Sequence, residues 1–161
     1  MADDWRAPSD ERANLIAGMR FHSLLLLEKT KGLDDAALRR ALVPSGTTLI
    51  GLVEHMSSVH DYYFVECILE QPSELTGGGA DSASLLAHYP AVVERSCEIL
   101  GGIDDLDMMM PAGNFAGRFN IRATVLHVIA EATRHNGHAD IIRELIDGAT
   151  GFRLELSPRE S

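Results

Sequence analysis

The chain is poor in the features that mark most special classes of protein. Its 161 residues include only two cysteines, Cys67 and Cys97, which cannot build a disulfide framework. Both fall in helix-like stretches, so buried, reduced thiols are expected. Positive charge is scarce: 14 Lys and Arg stand against 24 Asp and Glu, a formal net charge of −10. That balance repels phosphate backbones and argues against nucleic-acid binding. Apolar runs are short. Leu24 to Leu27 is four leucines inside a charged helix, far below the roughly 20 residues of a membrane span. The opening MADDWRAPSDER is polar and acidic, the reverse of a signal peptide's order, so a cytoplasmic location is expected. Strand-like alternation is scarce, and no hairpin turn sits between strand-like runs. No internal repeat or low-complexity tract is visible. The length suits a single domain over residues 1–161, with 1–8 and 152–161 as flexible tails.

What remains is helical. Apolar residues make up 45% of the chain, enough for a real core. Ser9 or Asp10 can cap a helix whose Leu15, Ile16, Met19, Leu26 and Leu27 recur at helical spacing, ending at Gly32. LDDAALRRAL is a short extra helix, stopped by Pro44 and Gly46. A second long helix runs from Thr47 to Gln71, with Leu49, Leu52, Val53, Met56, Val59, Tyr63 and Ile68 stepping by three and four. Pro72 and the glycines at 77 to 79 make a loop. A third long helix spans about Ser82 to Leu100, and Pro90 is expected to kink or divide it. IDDLDMMMPAGNFAGRF has no sustained period and reads as a long loop. The last helix runs from about Asn120 to Ile146, with Gly148 as its C-cap. The pattern is that of an all-α, four-helix bundle.

Chemistry gathers on the last helix. HVIAEATRHNGHAD places His127, Glu131, His135 and His138 at steps of four, four and three. At about 100° per residue, neighbours in that set lie on one face, one turn apart. Two such side chains can grip one ion, and imidazole with carboxylate suits zinc, nickel or iron(II) better than magnesium. A third ligand must come from a facing helix. His55, on a stripe shared with Leu52, Met56 and Val59, is the candidate and is expected to point inward. The alternative readings are ordinary: a hydrogen-bonded core histidine at position 55, and solvated charges at Glu131, Arg134, His135 and His138. His60 lies about 140° around the helix from His55, so the two do not share an ion. His22 and His88 read as surface or packing residues.

At these residues the chain resembles a known family. PSGTTLIGLVEHMSSV followed by an aromatic pair, then VLHVIAEATRHNGHADIIRELIDGATG, is similar to the DinB-like superfamily. The closer likeness is to the branch akin to the metal-binding domain of mycothiol-dependent maleylpyruvate isomerase. The resemblance implies a four-helix bundle, often homodimeric, holding a divalent metal through His55, Glu131 and His135. His138 stands where many relatives carry glutamine, which makes it a fourth ligand, a proton carrier or a neighbour of the ligands. His127 is read as a core residue or a neighbour of the ligands. The branch commonly has glutamate and tryptophan after the helix-two histidine; here the run is His60, Asp61, Tyr62, Tyr63, Phe64, which alters the pocket lining.

Three functions are open to such a metal site, the first of them implied by the likeness. The first is a metal-dependent transferase or isomerase using a small thiol such as mycothiol or bacillithiol, with zinc the leading metal and a small-molecule substrate. The second is metal-assisted hydrolysis, for which Arg134 or Arg122 would have to stabilise an oxyanion. The third is a non-catalytic, stress-associated dimer whose ion ties two helices together.

Overall fold

The computed structural model describes residues 10–73 and 81–151. The expected tails, the Ser9 cap and the glycine run at 77 to 79 lie outside the described residues. Helix α1, Glu11–Glu28, starts where the Asp10 carboxylate accepts from the Ala13 amide at 2.9 Å. A single turn, α2, spans Asp35–Leu38 behind an Asp34 cap. Helix α3, Leu49–His60, begins at Thr48, whose hydroxyl accepts from the Gly51 amide at 3.0 Å. Helix α4 covers Ser82–Gly101 and helix α5 covers Ile121–Asp147. Asn120 caps the start of α5, and Gly148, at φ 78°, closes it in the left-handed conformation that glycine adopts without strain.

The four long helices pack as a ring in the order α1, α4, α3, α5, each against its two neighbours. Met19 and Leu26 of α1, Leu49, Val53 and Met56 of α3, Tyr89, Val93 and Leu100 of α4, and Ile121, Val125 and Val128 of α5 meet inside it. Polar ties fix the register. Tyr89 Oη donates to the Ser23 carbonyl at 3.0 Å, joining α4 to α1. Arg143 of α5 donates to the carbonyls of Lys29 and Lys31 at 3.0 and 2.8 Å, satisfying groups that the end of α1 leaves open.

Two expectations need correction. The second long helix is not α-helical throughout: after His60 it widens to a π-helix over Asp61–Ile68, closed by the Leu69 amide bonding back to the Phe64 carbonyl at 3.3 Å. The wider turn buries Tyr63, Phe64, Val65 and Cys67 together, a surface broader than an α-helical stripe. Pro90 does not divide the third helix, which runs unbroken through it. Tyr89, Val92 and Val93 are buried around the proline, and that packing outweighs the one backbone bond it removes.

The segment before α5 is non-helical, as its lack of period implies, yet it is ordered. Met110 donates to the Phe119 carbonyl at 2.9 Å and Ile121 to the Met108 carbonyl at 2.9 Å, folding the loop back on itself. Leu106 and Met110 plug into the core. Gly113 sits at φ 80° against the Cys67 thiol and Tyr62, where a β-carbon would collide with both. Among the described residues the chain has no strand, and no helix is long and apolar enough to cross a membrane.

Candidate metal centre

Helix α5 projects Glu131 and His135 from one face, a turn apart, because four residues advance about 400° around the axis. Helix α3 packs beside it and carries His55 to the same place. The three side chains offer donor atoms that all lie within 4.8 Å of one another. His135 Nε2 is 3.3 Å from Glu131 Oε2, and His55 Nε2 is 3.9 Å from that same oxygen. Around a tetrahedral ion with bonds of about 2.0–2.1 Å, donors sit roughly 3.3 Å apart. Small torsional adjustments of His55 would reach that spacing. Two imidazoles and a carboxylate are also a fitting donor set for a divalent transition metal. The residues present can therefore hold such an ion.

The surroundings hold this trio in shape. Glu131 and His135 keep only 12% and 15% of their side-chain surface exposed, whereas His55 keeps 47%. The centre is thus walled by α5 and open on the α3 side. Arg134 donates to Glu131 Oε1 at 2.6 Å, which leaves Oε2 facing the imidazoles. His138 Nδ1 meets His135 Nδ1 at 3.3 Å, so the far side of the His135 ring is braced while Nε2 faces the centre. Burial first, then the neighbouring His55 imidazole, hold the His135 pKa below the ordinary histidine value. That favours the neutral ring, the form that coordinates metals.

The structure differs from the sequence reading at His55. It does not point into the core; it lies at the solvent-facing edge of α3. The buried face of that helix runs from Leu52 through Met56, Val53 and His60 to Ile50, and His55 falls about 60° beyond Leu52, outside its edge. The imidazole reaches Glu131 across the groove between helices instead. The inward histidine of this helix is His60, fully buried and bonded through Nε2 to Ser23 Oγ at 2.8 Å, on the other side from the centre.

His127 is not a core residue. It is exposed and packs against the rings of Tyr63 and Phe115, with centroids 5.6 and 6.0 Å away. His88 is exposed and His22 half-buried, and neither belongs to the cluster. Arg122 is committed to Glu11 and Asp107, and Arg134 to Glu131, so neither guanidinium is poised for an oxyanion.

Two features escaped the sequence reading. Arg134 as the clamp on Glu131 was legible in principle, since the two are three residues apart on one helix. The aromatic wall of Tyr63, Phe115 and His127 was not, because Phe115 comes from a loop without period. Tyr63 and Phe115 stack with centroids 5.9 Å apart. The chain's own thiols lie elsewhere: Cys67 and Cys97 are free and buried, and burial pushes the Cys97 thiol up to about 11.

A ring of four long helices, with a histidine, glutamate, histidine cluster able to hold a metal ion between the second and last of them, is a helical bundle of the DinB-like kind. Within that class the chain belongs to the mycothiol-S-transferase family, whose model matches residues 14–148. The matched span contains the whole trio and all four long helices except the first residues of α1. No curated protein matches the chain.

Proposed function

We propose that this protein is a metal-dependent thiol S-transferase that joins a small thiol of the mycothiol or bacillithiol type to an electrophilic small molecule. The observation that carries the proposal is the convergence of His55, Glu131 and His135 in a chain of the mycothiol-S-transferase family. Zinc is the first choice of ion, with nickel and iron(II) as alternatives that the same donors accept. A divalent ion bound by three side chains supplies a Lewis acid that lowers the pKa of a thiol toward neutrality.

The chain's residues have distinct parts in this. His55, Glu131 and His135 bind, and the half-exposed His55 leaves one side open for the cosubstrate. Arg134 holds the Glu131 carboxylate, and His138 holds the His135 ring. His138 is itself exposed and touches the outer side of the His135 ring, which suits it to pass a proton from the site's edge to solvent. The aromatic wall of Tyr63, Phe115 and His127 is one turn along α5 from Glu131 and offers an apolar surface for the electrophile. The buried thiols are unsuited to act as the nucleophile, which is consistent with an external one.

A purely structural ion would favour a closed set of four ligands, and the open side at His55 supports the catalytic reading instead. The exposed Leu126, Ile141 and Leu145 along α5 support a homodimer as the working assembly. Incubating the zinc-loaded protein with mycothiol and a haloalkyl fluorophore tests the reaction. Conjugation above the uncatalysed rate, lost in His55→Ala, is the expected result. No turnover with either thiol in the presence of zinc, nickel or iron(II) would overturn it.

A further inference from the structure

Tyr63, in the π-helical segment, is only 7% exposed, and its ring is held on three sides. Tyr62 and His127 cross it steeply, with centroids 5.1 and 5.6 Å away, and Phe115 stacks on it at 5.9 Å. Its hydroxyl makes no hydrogen bond to the described residues. Nor is it sealed: the enclosed polar atoms without a partner lie on Arg12, His60, Asp61, Asn136 and Asp140. The oxygen therefore reaches accessible space at the rim of an otherwise buried side chain.

That position ties the hydroxyl to the trio. His127, against which the ring rests, is one turn before Glu131 on α5 and about 40° around the axis from it, so the two share a side of the helix. Burial first, then Tyr62, Cys67 and Glu131, raise the Tyr63 pKa above the ordinary tyrosine value, which keeps the phenol protonated. Arg122 and Arg134 are both committed to carboxylates, which leaves this hydroxyl as a donor for an oxygen on the substrate. Such a donor contributes most to the most basic oxygen. Among electrophiles that alkylate thiols, an epoxide releases an alkoxide, whereas a halide leaves as a stable anion and needs no donor.

We propose that Tyr63 donates to the oxygen of an epoxide, which makes epoxides on an apolar or aromatic body the substrate class of this site; the inference rests on the thiol-transferase reading above. The thiolate sulfur bonds to an epoxide carbon, the C–O bond breaks, and its electron pair stays on the oxygen. That oxygen takes the Tyr63 proton. The phenolate recovers one from solvent, into which the thiol's own proton was released.

The test gives zinc-loaded protein mycothiol with styrene oxide or phenethyl bromide, which are of like size and differ in the leaving atom, and compares it with Tyr63→Phe. The variant keeps the ring and drops a hydroxyl that bonds nothing in the described fold, so equal helical content is expected. Both electrophiles should be conjugated by the unaltered protein. In the variant, kcat for styrene oxide should fall at least about tenfold further than kcat for the bromide. Apart from turnover, the variant should bind 4-nitrophenolate at least about tenfold more weakly and nitrobenzene about equally. The donor role is overturned if the bromide but not the epoxide is turned over, if the two rates fall in equal proportion, or if 4-nitrophenolate binds both proteins alike. Turnover of neither electrophile by the unaltered protein overturns the transferase reading and the epoxide assignment with it; the binding comparison then decides whether Tyr63 is a donor.

Discussion

His135 and His138 face each other ring nitrogen to ring nitrogen, Nδ1 to Nδ1 at 3.3 Å. One proton serves that contact. With an ion on Nε2, His135 would carry its proton on Nδ1 and His138 Nδ1 would accept it. In that state the contact would hold both the tautomer and the orientation of a metal-binding His135.

Replacing His138 by alanine should therefore weaken metal binding without unfolding the bundle. Losses of about 10- to 100-fold are typical when the partner of a metal-binding histidine is removed. Competition with a coloured zinc chelator measures it. An affinity equal to that of the unaltered protein would show that the His138 contact does not matter to the ion.

The two thiols should be silent in the native protein. With Cys97 pushed up to about 11, only about one thiol in a thousand is ionised at pH 8, and burial raises the Cys67 pKa as well. Ellman's reagent should find almost no thiol in buffer and two per chain in urea. Fast native labelling of either would contradict the buried placement.

His60 makes stability depend on pH in a defined window. Burial lowers its pKa from 6.5 to about 4, so the folded protein keeps it neutral where the unfolded chain would already be charged. A depressed folded value means that full stability is present above about pH 6.5 and is lost as pH falls toward 4. The loss amounts to about 3 kcal/mol at most. Urea midpoints measured from pH 7 to pH 4 should fall in the unaltered protein and fall less in His60→Gln. Equal slopes would mean that other groups carry the dependence.

Much of this architecture was legible in the sequence, and the parts that were not share physical reasons. The caps at Asp10 and Gly148 announce helix ends because they satisfy backbone groups locally, and the structure uses both. The spacing of Glu131 and His135 likewise needs only helix geometry. The widening after His60 was hidden, since α- and π-turns share nearly the same apolar pattern over two turns and only packing chooses between them. The direction of His55 was misread for a related reason. A stripe of apolar neighbours says which residues are near the core, while the packed face of α3 centres on Val53 and His60. Pro90 does not divide α4, because a local rule about one missing bond yields to burial on both sides of it.

Elemental analysis of freshly purified protein beside the His135→Ala variant is the most direct check on the trio. About one zinc, nickel or iron per chain is expected in the first and almost none in the second, with both showing the same helical content. Equal metal in the two proteins, or none in the first even after incubation with zinc, would contradict the assignment of His55, Glu131 and His135 as the metal ligands.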